Sequence, residues 1–590
     1  MAMDRNNALA LAMGAVLMAG CTNGAPGADT EAKASAAAGA GETTAAPATA
    51  GPADPASYYG TLEPLASDAV YFVVTDRFVN GDPANDQRDQ GGANGTFDIP
   101  LPCGAPEGDN IGYLGGDFRG LLDNAAYIRD LGFGAVWITP IVDNPDEAFT
   151  GGDPITCTSF LTDQGKAGYH GYWATNFHVV DEHLESPGLA FADLTRGLRG
   201  QGLKTVLDIV ANHSSPGWTM PVQQPGFGQV FAKDGTLIAD HGNLPPDQLD
   251  PANPLHAFYN RKPDLAQLAD LAADNPAVVD HLVDAYLQWI DQGVDAFRID
   301  TIRHQPLSFW KTFSDRIRAK HPGFFMFGEA FDYEAAKIAP FTWTENGGIS
   351  VLDFPVKQAL ADAVGPKAAG FDTLEAALAL EGGPYQNPYD LMTFYDNHDM
   401  ARLDATDEGF IDAHHWLFTA RGTPVIYYGS EVGFMRGRVE HDGNRNYFGQ
   451  PNIDAAPSHR IHQALQRIAK VRAASPALQR GLQLNLELDG DRAAFYRVFQ
   501  HEGVAQIALV LLNKGEAPAD FRVQRYLQPG SWRAAMAGGE TAVGVGGTLQ
   551  ATVPAHGAEV FLLDAKVSDP ALAARLAELM AGKQRRTNGG

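Results

Sequence analysis

Positive charge is what this chain has least of: 43 Lys and Arg stand against 71 Asp and Glu, a formal charge of −28. A surface of that sign repels phosphate backbones and anionic headgroups, so nucleic acid is excluded as a partner and a neutral ligand such as sugar is favoured. Long apolar runs are missing as well. The stretch Ala8 to Ala19 is too short to cross a bilayer as a helix. Residues 22–57 contain no large apolar side chain, so they cannot bury enough surface to offset ordering entropy and are expected to form a disordered tether. Cysteine is rare, three in 590 residues: Cys21, Cys103 and Cys157.

What is present at the N-terminus reads as an export signal. Arg5, the short apolar run and Leu17-Met18-Ala19-Gly20-Cys21 resemble a bacterial lipobox. Residues 1–21 are therefore expected to be a lipoprotein signal peptide, with Cys21 lipidated and the protein exported. The anchor would face the periplasm or the cell surface; an ordinary cleaved signal would give a secreted protein. Setting Cys21 aside leaves Cys103 and Cys157, an even pair in an oxidising compartment and expected to be disulfide-bonded. Two thiols too far apart to bridge remain the alternative, because sequence carries no Cα separation.

From residue 69 onward, short runs of Val, Ile and aromatics alternate with amphipathic stretches, the pattern of a parallel sheet with helices outside. Candidate strands are 70–74, 135–139, 204–210, 295–300, 324–328, 349–352, 391–395 and 424–428, which makes eight. Leu282, Val283, Tyr286, Leu287 and Ile290 form one apolar helical stripe before the fourth strand. The expected fold class is α/β, a (β/α)8 TIM barrel with an inserted domain after strand 3 and a C-terminal all-β sandwich domain. The expected boundaries are barrel 58–211 and 278–474, insertion 212–277, β domain 475–565 and an exposed tail 566–590. The insertion is long and proline-rich, and insertions of this kind usually carry function.

Asp208, Arg298, Asp300, Glu329, Asp396 and Asp399 all fall at or just past the C-terminal ends of candidate strands, the face where such barrels hold their active sites. Arg298 and Asp300 are i and i+2 on one strand and share its inner face, so Arg298 is expected to hold Asp300 ionised. An ionised carboxylate facing an anomeric carbon, with a protonated Glu329 beside the leaving oxygen, meets the two needs of a retaining glycosidase.

Four segments carry a family resemblance, in order: Asp208-Ile-Val-Ala-Asn212-His213, Gly293 to His304, Phe327-Gly-Glu329-Ala, and Phe394-Tyr-Asp-Asn397-His398-Asp399. They resemble the signature regions of the α-amylase family, with Gly132 to Pro140, Tyr169 to Trp173 and Leu268 to Leu271 similar to its auxiliary regions. The resemblance covers about residues 68–565. It implies Asp300 as nucleophile, Glu329 as general acid/base and Asp399 as the third carboxylate, with Arg298 positioning Asp300. It also implies His170, Tyr172, His213, Arg303 and His398 as substrate-binding residues.

Clustered oxygen ligands in Asn80, Asp82, Asn85 and Asp86 suit Ca2+. With Gly115 and Asp117 they resemble the N-terminal calcium site of cyclodextrin glucanotransferases. Asn212, Asp270 and the carbonyl of His304 match the family's more general calcium site. The implied substrate is an α-glucan, cleaved at α-1,4 bonds by a monomer that meets a membrane only through its lipid anchor. Hydrolysis is favoured over cyclising transfer on two grounds. Ala266 stands where the cyclising enzymes carry a central aromatic, and a single β domain follows the barrel. A transferase, or a surface lipoprotein that only binds glucan, is the alternative.

Overall fold

The computed structural model describes residues 58–103, 108–159, 162–439 and 442–583. The signal peptide, Cys21 and the tether through residue 57 lie outside them. Among the described residues no helix is long and apolar enough to cross a membrane.

Eight parallel strands form one sheet: β1 Val70–Val73, β2 Ala135–Ile138, β3 Lys204–Ile209, β4 Ala296–Ile299, β5 Phe325–Gly328, β6 Ser350–Val351, β7 Met392–Thr393 and β8 Thr423–Tyr427. Their order is β6-β5-β4-β3-β2-β1-β8-β7, and a parallel pairing of Leu352 with Met392 joins the two edge strands. The structure is therefore the expected (β/α)8 barrel with every candidate strand present, several trimmed by a residue or two at the ends. The central strands read as unbroken apolar runs because both faces are covered, the outer by helices and the inner by other strands.

Helices intervene between strands: α1 Ala125–Leu131, α2 Phe191–Gly200, α3 Pro276–Asp291, α4 Leu307–Lys320, α5 Phe354–Val364, α6 Asp407–Thr419 and, after β8, α7 Arg460–Ala473. Helix α3 starts on an Asn275 cap, whose side chain accepts from the Ala277 amide, with Pro276 in the first turn. Leu282, Val283, Tyr286 and Ile290 of its predicted stripe are buried, while Leu287 lies at the edge and Trp289 takes up the inner face. The ring of Tyr286 packs on Phe297 of β4, which fixes the outward side of that strand and leaves Arg298 pointing in.

Between β3 and α3 the chain makes two small antiparallel pairs, Gln229–Phe231 with Leu237–Asp240 and His213–Pro216 with Leu268–Asp270. The second pair opposes His213 to Asp270 and so returns the insertion to the barrel mouth. Cys103 and Cys157 are joined with their Cα atoms 5.2 Å apart, linking the excursion after β1 to the one after β2.

After the barrel, β9 Leu482–Asp489, β10 Arg492–His501, β11 Val504–Asn513, β12 Ala519–Val523, β13 Gly530–Ala534, β14 Glu540–Val543, β15 Leu549–Val553 and β16 Gly557–Leu563 form antiparallel sheets. Six strands run in the order β9-β10-β11-β16-β13-β14, with β12 and β15 paired separately around a core centred on Trp532. One expectation is corrected here. Of the stretch expected as an exposed tail, the described residues 566–583 are not one: α8, Pro570–Gly582, caps on Asp569 and buries Leu572, Leu576, Leu579 and Met580 in the β-domain core. Its apolar residues fall at i, i+4, i+7 and i+8, a helical stripe that finds a surface to cover.

Candidate active site and cation loops

The ladder at the centre of the barrel sets the site. Arg298 pairs in register with Asp208 of β3 on one side and Phe327 of β5 on the other. The pairing continues past the strand ends, where Asp300 N donates to Ile209 O at 2.9 Å and Glu329 N donates to Ile299 O at 2.8 Å. Asp300 and Glu329 thus leave adjacent strands side by side, and neighbouring strands lie about 4.8 Å apart. Gly328 is needed for this approach: a Cβ there would come within 2.5 Å of Ile302 Cδ1.

Around the buried guanidinium of Arg298 three carboxyl groups converge. Nη1 donates to Asp208 Oδ1 at 2.9 Å and to Asp300 Oδ1 at 3.0 Å. Nη2 lies 2.8 Å from Glu329 Oε2, an ion-pair distance without hydrogen-bond alignment. One oxygen each from Asp300, Glu329 and Asp399 all lie within 4.8 Å of one another. Burial pushes Glu329 up to about 8, against the lowering pull of Arg298 and with the help of Asp399 and Asp300. The shift favours the protonated form. Asp208 is raised to about 7, again chiefly by burial, with Arg298 opposing.

The other residues singled out in the motifs line the same mouth. Tyr172 OH donates to Asp208 Oδ2 at 2.8 Å and lies 2.9 Å from His398 Nε2, and the two rings stack with centroids 5.4 Å apart. His398 Nε2 is 3.0 Å from Asp399 Oδ2. Burial and the nearby Arg445 and Arg298 hold His398 well below the ordinary imidazole range, so it is neutral. Its single proton belongs on Nε2, facing a carboxylate that can only accept. His170 Nδ1 accepts from the Tyr172 amide at 3.1 Å, which orients the ring. His213 is buried and kept below its ordinary value mainly by desolvation. Arg303 reaches the other rim, where it pairs with Asp332 at 3.2 Å and bonds the Phe331 carbonyl. Asp396 does not join the trio; it accepts from the Leu403 amide and Ser430 Oγ and fixes the loop behind it.

Three contributors carried no assigned role in the sequence. Trp137 Nε1 donates to Asp208 Oδ2 at 3.0 Å, and its ring stacks on Phe72 and lies 5.3 Å below Arg298. Arg445 Nη2 donates to Asp399 Oδ1 at 2.7 Å, and Tyr169 OH lies 3.5 Å from Arg445 Nη1. Trp137 and Tyr169 fall inside the auxiliary segments. Arg445 lies outside every matched segment, and no local signal points to it.

Two loops fit a hard cation. In the first, Asn80 Oδ1 and Asn85 Oδ1 are buried acceptors with no hydrogen-bond partner among the described residues. Asp86 and Asp117 are buried beside them, Asn80 Nδ2 donating to Asp86 Oδ1 at 2.7 Å. Asp117 accepts from the amides of Gly81, Asp82 and Gly120, and Asp82 itself caps the turn through Ala84 N. Gly115 has φ +85°, and a Cβ on it would lie 2.3 Å from Asn80 Nδ2 and 2.4 Å from Asp86 Oδ1. Only glycine closes the cradle there.

In the second loop, both carboxylate oxygens of Asp270 are buried with no hydrogen-bond partner among the described residues, and burial together with Asp264 pushes its pKa to about 8. Asn212 is buried next to it through the Leu271 N to Asn212 O bond, and the imidazole of His304 lies 2.7 Å from Asp264. Orphaned, strongly desolvated oxygens of this kind are what a cation would satisfy. Separately, Asp181, Glu182 and His183 bring ligand-type atoms within 4.8 Å, with Asp181 already paired to His183.

With this geometry in view, residues 72–456 match the alpha-amylase catalytic domain family, and the chain belongs to that family. Among curated proteins it is similar to cyclomaltodextrin glucanotransferases of Niallia circulans (27 % identical, 79 % of this chain) and Geobacillus stearothermophilus (29 % identical, 77 % of this chain). It spans 62 % and 60 % of the lengths of those two relatives. Among solved structures it is similar to CldA, described as the first cyclomaltodextrin glucanotransferase with a three-domain ABC distribution. That likeness has a TM-score of 0.68 and 28 % identity, and covers 84 % of this chain and 99 % of the other.

Proposed function

We propose that this chain is a retaining glycoside hydrolase that cleaves α-1,4-glucosidic bonds in starch or malto-oligosaccharides. The observation that carries the reading is the pair Asp300 and Glu329, with carboxyl oxygens within 4.8 Å, and burial raises Glu329 toward the protonated form that a general acid needs. Retaining enzymes hold their carboxyl pair about 5–5.5 Å apart, while inverting enzymes need about 6.5–9.5 Å to admit a water. In the first step the Glu329 proton passes to the glycosidic oxygen, the leaving chain departs as an alcohol, and an Asp300 oxygen bonds the anomeric carbon. In the second, water gives its proton to Glu329 and its hydroxyl to that carbon, freeing Asp300. Asp399, held by Arg445 and His398, faces the same centre and accepts from sugar hydroxyls.

Water is favoured as the acceptor by Ala266, which by the family resemblance stands where the cyclising enzymes carry a central aromatic. A single β domain after the barrel does not favour hydrolysis, because the similar CldA is a cyclomaltodextrin glucanotransferase with a three-domain distribution. That likeness supports a second reading, transfer to a glucan hydroxyl or ring closure. Proton NMR of the products from linear amylose separates the two: linear α-anomers appearing first support the hydrolase, whereas a majority of cyclic products would replace it by the transferase.

Calcium belongs to the proposal. Asn80, Asn85, Asp86, Asp117 and the Gly115 carbonyl would hold one ion and Asn212, Asp270 and the His304 carbonyl another, where the charge satisfies stranded oxygens and pins the insertion to the barrel. A strong chelator is expected to lower Tm by several degrees; an unchanged melt would sink both sites. We further propose export with a lipid on Cys21 and a monomeric glucan-facing enzyme. Cys21→Ser should move the protein out of the membrane fraction, and an unaltered distribution would overturn the anchor.

A further inference from the structure

The five residues Asn444 to Phe448 touch the catalytic face at one end and the first cation loop at the other. We propose that Arg445 is a positioning residue for Asp399, and that its loop couples the Asn80–Asp86 cation loop to that carboxylate; the catalytic half rests on the hydrolytic reading above.

Arg445 is 5 % exposed and grips two consecutive residues. Nη2 donates to Asp399 Oδ1 at 2.7 Å, and Nε donates to His398 O at 3.0 Å. The fork therefore fixes the carboxylate and the main chain that carries it, while His398 Nε2 faces the second oxygen. Asn444 Nδ2 donates to Asn397 O at 3.1 Å and also bonds Met400 O, so two neighbouring residues of the loop hold the same turn.

The far end is sewn to the cation loop. Asn80 N donates to Tyr447 OH at 2.7 Å, and Phe448 N donates to Arg77 O at 2.8 Å. A parallel path leads through Tyr169, whose hydroxyl lies 3.5 Å from Arg445 Nη1 and whose ring lies 3.7 Å beneath the Arg77 guanidinium. Arg77 in turn donates to the carbonyls of Asn110 and Gly112, just before Gly115.

The stranded Asn80 oxygen and the Asn80 amide sit on one residue. Any ligand that draws the oxygen into place also sets the amide, hence Tyr447 and, two residues away, Arg445. Buried, hydrogen-bonded segments this short have little freedom to absorb a shift. Coupling between two sites is reciprocal, so it is readable from the cation side without any turnover.

The test uses calorimetric calcium titration and glucan kinetics on the full chain in an Asp270→Asn background, so that the isotherm reads the first loop. Tyr447→Phe keeps the ring and removes the acceptor; Arg445→Lys keeps the charge and removes the fork. Tyr447→Phe should weaken calcium binding and lower kcat, each by about five-fold or more. Arg445→Lys should lower kcat by about 100-fold with KM within about two-fold, as misplacement of a catalytic group does, and should weaken calcium in the same direction. Near-UV circular dichroism confirms that each variant is folded. An Arg445→Lys enzyme with unchanged kcat overturns the positioning role. A Tyr447→Phe protein that binds calcium as tightly as its parent overturns the coupling. Were the parent to cleave no glucan, the hydrolytic reading would fall while the isotherms still decided the coupling.

Discussion

Asp300→Asn is expected to lower kcat on linear α-glucan by roughly 10⁴-fold or more, because an amide cannot form the glycosyl ester that splits the reaction into two easier steps. The change is nearly isosteric, so the rings of Tyr172 and His398 and the Asp399 carboxylate keep their places, and glucan affinity should survive. Two measurements together check this: single-turnover kinetics for the chemical step and calorimetric binding of a malto-oligosaccharide to the same preparation. A variant that binds but does not turn over supports the nucleophile. One that retains more than a hundredth of the activity would assign the attack elsewhere. Loss of both would instead place Asp300 in binding.

Glu329→Gln should lower kcat by roughly 10²- to 10⁴-fold, the usual worth of a positioned general acid. The defect should depend on the leaving group. With α-maltosyl fluoride, whose departure needs little protonation, the first step should recover most of its rate; an equal loss on fluoride and on amylose would contradict the acid role. The pH profile gives an independent check. Glu329 must carry its proton to act, and burial places its pKa near 8, so the activity of the parent should fall as pH rises through about 8. The residual activity of Glu329→Gln should lack that limb.

The same shift bears on stability. Burial raises the folded carboxyl from the ordinary 4.5 to about 8. Between those values the unfolded chain releases a proton that the folded chain retains, so this group's contribution to stability is full below the lower value and declines as pH rises toward the upper one. Glu329→Gln removes that penalty. Its Tm at neutral pH should exceed the parent's, and the difference should vanish near pH 4.

Much of this site is written locally. The inner face shared by Ala296, Arg298 and Asp300 follows from the two-residue period of a strand. Glu329 lies one residue past β5, and Asp399 follows the short β7, so each carboxylate could be placed at the barrel mouth from its own segment. The eight strands and the buried face of α3 were legible for the same reason, since apolar periodicity is a property of neighbouring residues. The first cation loop was legible as composition, clustered Asn and Asp around Gly81 and Pro83, whereas Asn212, Asp270 and His304, far apart in the chain, were joined only by the family resemblance.

Other features had no local trace. The sequence of α8 reads as an amphipathic helix, but whether its Leu face is covered depends on the β domain reaching it. Arg445 meets Tyr169 across 276 residues, and a single arginine in a polar loop looks like any solvated one. The state of Glu329 is likewise a tertiary product: its segment supplies a carboxyl, while the desolvation that raises it comes from strands far apart in the chain. What the sequence by itself determined is therefore which groups arrive at the mouth of the barrel, because strand period and strand ends are short-range. Only the tertiary structure decided their separations, their protonation and the residues that hold them, because those depend on burial and long-range contact.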